Sequence, residues 1–153
     1  MRLNFVFSKI YNEMLNKFNP SEDSWEKIKH RGELFVQEYE KKCSEIVELI
    51  PKITNRQWNK LELDVYFVSW NGPNFSKPLT LRVRKDMLLM LVVLTHELIH
   101  NIMPEKKSSI ELENEINDYV EEIFKQLKID IAAQIKIVRE SSSKSQSQKN
   151  GKL

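Results

Sequence analysis

The sequence predicts an α+β fold, with several helices around a short mixed or antiparallel sheet. Residues 61–70 and 79–84 alternate or run apolar as strands do. Residues 87–102 are rich in leucine and valine, which is typical of a helix buried on all sides. Residues 109–127 repeat apolar side chains every three or four positions, the pattern of an amphipathic helix.

The amino-terminal third of the chain is predicted to be mainly helical. Residues 19–22 contain a helix start with a capping residue followed by proline, and Ser24 is a rival start. Apolar residues then continue at helical spacing up to Pro51. Residues 1–18 form either a strand followed by a helix or a single helix.

The two predicted strands are separated by residues 71–78, which begin with the turn sequence Asn71-Gly72-Pro73. We therefore expect a loose hairpin between them. Asp86 is a suitable N-cap for the buried helix that follows the second strand.

The carboxyl end changes composition twice. Residues 129–138 are apolar and partly β-branched, which predicts a strand or a short helix docked on the domain. Residues 141–153 are serine, glutamine and lysine with little to bury, so we expect a disordered tail. The sequence thus predicts a single domain over residues 1–140.

Charge and cysteine content narrow the function classes. A formal charge of +2 over 153 residues is too small to indicate a nucleic-acid partner. The lone cysteine, Cys43, excludes an internal disulfide framework and is expected to serve packing. The amino terminus lacks a signal-peptide pattern and residues 87–94 are too short to span a bilayer, so we expect a cytoplasmic protein without a membrane partner.

The buried helix carries the most informative pattern, His96-Glu97-Leu98-Ile99-His100. Histidines four residues apart lie one turn apart on the same helix face, so both imidazoles can reach one Zn²⁺. Glu97 lies about 100° around the helix, where it can accept a proton from a metal-activated water without being a ligand. With three histidines in the chain, chance is a poor explanation of this pattern. Two buried histidines and a carboxylate are costly to desolvate unless a metal or polar groups meet them.

The third ligand of a catalytic zinc site is expected on a different element. Ser108 and Ser109 are competing starts for the next helix. Its core stripe repeats at three and four residues, and a second stripe beside it carries glutamates and a tyrosine: Glu111, Glu115, Tyr119 and Glu122. One of these glutamates is the predicted ligand.

These two helices resemble those of the gluzincins, zinc peptidases whose third ligand is a glutamate on a separate glutamate helix. The chain is most similar to archaeal minigluzincins and to the peptidases related to ImmA and IrrE, whose second helix often reads E-A-N-x-F-A-x-x-L. With Glu115 placed on the first position, five of six positions in residues 115–123 match that pattern in type or nearly so. The resemblance implies a small zincin-like domain with Zn²⁺ held by His96, His100 and Glu115, and Glu111 is the second choice.

The resemblance also implies a mechanism, the hydrolysis of a peptide or protein substrate with Glu97 as general base. Tyr119 or Tyr66 could stabilise the oxyanion, and residues 79–84 are either the strand that pairs with substrate or an ordinary edge strand. Minigluzincins are zymogen-like, so residues 129–138 could cover the cleft, although a structural segment is the simpler interpretation. The alternative function is a binding or regulatory module without peptidase activity.

Overall fold

The computed structural model describes residues 1–104 and 109–150, with side chains in the last stretch described up to Ser142. Within those residues the fold is α+β, with five helices and a four-stranded mixed sheet, as the sequence predicts. In chain order the elements are β1 (Arg2–Val6), α1 (Lys9–Asn16), α2 (Trp25–Thr54), β2 (Glu62–Val68), β3 (Phe75–Ser76), β4 (Leu79–Arg82), α3 (Met87–Ile102), α4 (Ile110–Gln126) and α5 (Ala132–Asn150).

Serine and aspartate side chains set the starts of the main helices. Ser24 Oγ accepts from the backbone N–H of Lys27, so the rival start is the correct one and the start at residues 19–22 is wrong. Asp86 caps α3 and Ser109 caps α4 in the same way. The competing cap Ser108 lies outside the described residues.

The strands run in the order β1-β2-β4-β3. β1, β2 and β4 are parallel neighbours, and β3 pairs antiparallel with β4 at the edge. The predicted hairpin between β2 and β4 is therefore wrong. The segment between β2 and β4 contains β3, which lies at the outer edge of the sheet. After β3 the chain reverses direction and forms β4, which lies between β2 and β3.

The sheet divides the core into two parts. On one face, Phe35 of α2 meets Phe67 of β2 edge-on, with their ring centroids 5.8 Å apart. The main core on this face also includes α3, α4 and part of α5. On the other face α1 packs through Tyr11 and Leu15 against Val68 and its neighbours. Both α3 and α4 therefore lie on the α2 side of the sheet.

α3 is buried on nearly all sides, as predicted, and every residue from Leu89 to His96 is buried. Within the described ranges, none of the helices combines the length and apolarity needed to cross a bilayer.

The carboxyl end differs from the sequence prediction. α5 is one helix from Ala132 to Asn150, so it covers most of the predicted disordered tail, while residues 151–153 lie outside the described residues. Ile131, just before the helix, and Ile135 and Val138 in its first turns are buried in the main core. These residues recur at three- and four-residue spacing, which favours the helical alternative for residues 129–138 over a strand.

Candidate metal centre

Two imidazoles of α3 converge, as the four-residue spacing predicts. The Nε2 atoms of His96 and His100 lie 3.1 Å apart, with ring centroids 4.9 Å apart. The His96 side chain is 8% exposed and that of His100 20%, so solvent reaches the pair mainly from the His100 side. The third histidine of the chain, His30, is exposed and does not join them.

α4 completes the cluster with a carboxylate. Glu113 places Oε2 3.2 Å from His96 Nε2 and Oε1 3.4 Å from His100 Nε2. Ligand atoms about 2.0–2.1 Å from a tetrahedral ion lie about 3.3–3.4 Å from one another. The three side chains thus have the spacing of a preformed triad that could hold a metal ion.

The predicted third ligand is corrected by this arrangement. Glu115 is exposed, and its Oε1 accepts a hydrogen bond from the Tyr119 hydroxyl at 2.9 Å. Glu111, the second choice, is exposed as well. Glu113 takes the place assigned to Glu115, and the structure pairs Tyr119, the predicted oxyanion stabiliser, with Glu115 instead of with the cluster.

Helix geometry explains the correction. At about 100° per residue, Glu115 lies about 200° around α4 from Glu113, so only one of the two can face α3. Glu113 precedes the buried residues Ile116, Asn117 and Val120 by three, four and seven positions, which puts it on the buried stripe. This spacing was the sequence signal for Glu113, but the resemblance to the family pattern favoured Glu115.

Asn117 is a second residue that the sequence analysis did not single out. Its Oδ1 lies 3.0 Å from His96 Nδ1, and the residue is only 1% exposed. An amide oxygen can only accept here, so Nδ1 carries the proton and the lone pair of neutral His96 is on Nε2, facing the cluster. Asn117 Nδ2 is buried without a partner among the described atoms.

Within the triad, Glu113 and His96 shift each other's pKa. Burial opposes the charge on Glu113, but hydrogen bonds from His100 and His96 outweigh it and hold the pKa of Glu113 well below its ordinary value. Burial also opposes the charge on His96, yet Glu113 and Glu97 together raise the pKa of His96. The metal-free cluster therefore keeps a proton on imidazole beside an ionised carboxylate.

Glu97 lies beside the triad without being part of it. Burial is the largest influence on its carboxyl and raises the pKa of Glu97, although His96 and His100 pull it down. One turn later, Asn101 Nδ2 donates to the backbone carbonyls of Glu97 and of Ser76 in β3, at 3.0 and 2.7 Å. These bonds fix the end of α3 against the edge strand.

Two further expectations are corrected by the sheet. Tyr66 stacks edge-on with Tyr11 of α1, with ring centroids 5.0 Å apart, so it lies on the face of the sheet opposite α3. β4 has a neighbour on each side and is not an edge strand.

Cys43 is buried, as predicted, and burial raises the pKa of its thiol to about 12, which makes it unreactive.

Comparison of the chain with protein-family models, with curated proteins and with solved structures gives no match. The case for a function therefore depends on the geometry of the cluster and on the chemistry of its residues.

Proposed function

We propose that the protein is a zinc-dependent metallopeptidase, with His96, His100 and Glu113 as ligands and Glu97 as general base. The observation that carries the proposal is the convergence of two imidazole nitrogens and a carboxylate within 4.8 Å of one another, beside a second, partly buried carboxylate, that of Glu97. Three protein ligands that leave one position open are typical of catalytic zinc, whereas structural zinc is closed by four.

The donor set favours zinc over harder cations. Two imidazoles and one carboxylate suit zinc, while calcium and magnesium prefer oxygen ligands throughout. The Asn117 amide supports the same assignment because it fixes the tautomer of His96, a role that outer partners commonly play for ligating histidines. By extension, α3 and α4 correspond to the active-site and glutamate helices of a zincin-like domain.

The chain's own groups then perform the proton transfers. When bound, zinc supplies a Lewis acid that makes water easier to deprotonate and polarises a carbonyl. Glu97 accepts a proton from the attacking water while the C–O bond forms, and it passes that proton to the amide nitrogen as the C–N bond breaks. The raised pKa of Glu97 suits the first step, because a carboxylate that holds a proton more tightly is a better base.

The first test is the zinc content and peptidase activity of the wild-type protein beside His96→Ala. We expect about one zinc per chain in the wild type, hydrolysis of an unfolded protein substrate, and loss of both in His96→Ala. His30→Ala is the matched control, since His30 is exposed and outside the cluster. Metal analysis and product detection by mass spectrometry give the two readouts.

The outcomes separate the classes of protein. Wild-type protein that takes up no zinc, even after reloading, contradicts the proposal. Stoichiometric zinc without hydrolysis supports the alternative, a metal-stabilised binding or regulatory module.

Latency is the second part of the proposal and is favoured by the position of α5. Arg139 binds Asp118 and Glu121 of α4, at 2.8 and 3.2 Å, and one turn of helix brings the Ser142 hydroxyl 3.5 Å from Glu113 Oε2. The segment that follows the docked half of α5 thus starts beside the cluster. We infer that the rest of α5, from Ser142 to Asn150, restricts access to it.

Removing residues 142–153 is expected to raise the turnover of the zinc-loaded protein several-fold. The cut leaves Ile131, Ile135, Val138 and Arg139 in place, so the core contacts of α5 remain. Full-length Ser142→Ala is the control, because it removes the hydroxyl and keeps the segment. Turnover equal to that of the intact chain, at equal zinc content, would count against latency.

A further inference from the structure

A groove of about 510 Å³ opens beside β2, at the end where β2 extends past its neighbour. The pairing of β2 with β4 begins at Tyr66, so residues 62–64 of β2 have no β4 residue beside them. Lys77 and Pro78 form the opposite wall, and Asn101 of α3 also lines the space. We call this space the β2 slot.

Backbone groups of β2 face the slot. Val68 O accepts from Val83 N, so the polar groups of Val68 point towards β4. Polar groups of alternate strand residues point the same way, so those of Asp64 and Glu62 also point to this side. Leu61 O, two residues before Leu63, bonds to β1 instead, which agrees with this alternation. In the part of the chain that the structure describes, Glu62 and Asp64 have no strand partner on the slot side.

The two faces of β2 at the slot carry different side chains. Glu62 and Asp64 point to one face, where Asn4 Nδ2 lies 3.4 and 3.2 Å from their carboxylates. Arg2 neutralises Glu62 at 2.6 Å. Asp64 has an amide donor and no ion pair among the described residues, and Lys60 and Lys77 line other parts of the slot. Leu63 points to the other face and lines a small cavity together with Trp58, Met1 and Asn101, among others.

We propose that the β2 slot binds an extended peptide as an added strand, with a basic side chain beside Asp64 and apolar side chains on the Leu63 side. Unpaired N–H and C=O groups are a template for strand addition, and opposite charges on directly neighbouring strand positions attract. The inference rests on the proposed function for the identity of this peptide as the substrate. Asn101 links the slot to the catalytic helix, one turn from Glu97.

The test measures binding separately from cleavage. The probe is a short fluorescein-labelled peptide in which lysine and valine alternate, titrated with zinc-loaded Glu97→Gln protein and followed by fluorescence anisotropy. We expect binding that weakens about tenfold in Asp64→Lys, since an attractive cross-strand pair becomes repulsive. Glu33→Lys is the matched control, an exposed charge reversal on α2 next to Gly32, which packs against Phe67 at the other end of β2. Replacing the lysines of the peptide by glutamates should also weaken binding.

Peptide backbones test strand addition without altering the protein. N-methylation of every second residue removes the N–H groups on one edge of the peptide. We expect one of the two alternate methylation patterns to abolish binding and the other to preserve it. Equal binding of the two methylated peptides, or binding unchanged by Asp64→Lys, would refute the proposal that a peptide adds as a strand in the β2 slot. Binding with the expected pattern but no cleavage by the wild-type protein would leave the slot in place and contradict the proposed peptidase function.

Discussion

Glu113→Gln is expected to lower zinc affinity by more than about a hundredfold, whereas Glu115→Gln leaves it unchanged. Loss of an outer partner of a ligand alone typically costs roughly 10–100-fold, so loss of a ligand should cost at least as much. The amide has nearly the shape of the carboxylate, so the change removes charge and leaves the packing of α4 intact. Glu115 is the matched control, because it lies two residues away on the exposed side of the same helix.

Zinc affinity is measured by competition with a chelator of known affinity, on protein first stripped of metal. Unfolding of each metal-free variant is followed in parallel to establish that the fold is retained. Zinc binding that depends on Glu115 and not on Glu113 would refute the assignment and restore the ligand that the family pattern implies.

The same measurement has an expected pH dependence. The pKa of His96 is raised above its ordinary 6.5, so the metal-free protein still holds this proton at pH values somewhat above 6.5. Zinc must displace the proton, so affinity should rise with pH through this range and binding should release protons. Titration calorimetry in two buffers with different ionisation enthalpies reports that release, and buffer-independent heats would contradict it.

The stability of the metal-free protein should also depend on pH, through His96 and Glu113. The raised pKa of His96 contributes stability that is fully present below pH 6.5 and is lost as pH rises through its folded value. The lowered pKa of Glu113 contributes stability that is present above pH 4.5 and is lost as pH falls. The pair therefore stabilises the metal-free fold most between these two values.

Local signals in the sequence predicted the helices around the site well. Asp86, and Ser24 as the rival of the incorrect start at residues 19–22, mark helix starts through hydrogen bonds that involve only neighbouring residues, so a sequence pattern contains the information. The spacing of His96 and His100 likewise fixes their shared face without reference to the rest of the chain. These features needed no tertiary contacts to be predicted.

Strand direction and the third ligand depended on contacts between distant segments. A turn sequence at residues 71–73 is compatible with a hairpin, but the chain forms β3 after it, and pairing of β3 with β4 leaves β2 parallel to β4. Which glutamate of α4 meets α3 depends on the rotation of α4 about its axis. The buried stripe through Ile116 and Val120 sets that rotation, because it must face the core.

Glu97→Gln is expected to reduce turnover by about 10²–10⁴-fold, the usual contribution of a general base, while zinc content stays at the wild-type level. Glutamine keeps the size and the hydrogen-bonding oxygen of Glu97 but cannot take a proton from water. Glu97 is outside the group of His96, His100 and Glu113 that could hold a metal ion, so removal of its charge should leave metal binding unchanged. Turnover and zinc content are measured on the same preparations, with Glu111→Gln as an exposed control.

The combination of the two readouts makes this variant decisive. Loss of zinc in Glu97→Gln would show that Glu97 is needed for zinc binding, and the proton acceptor would then be unidentified. Unchanged turnover would place the base on another residue. Only retained zinc with lost turnover separates proton transfer from metal binding, and that separation is what the position of Glu97, beside the triad but outside it, predicts.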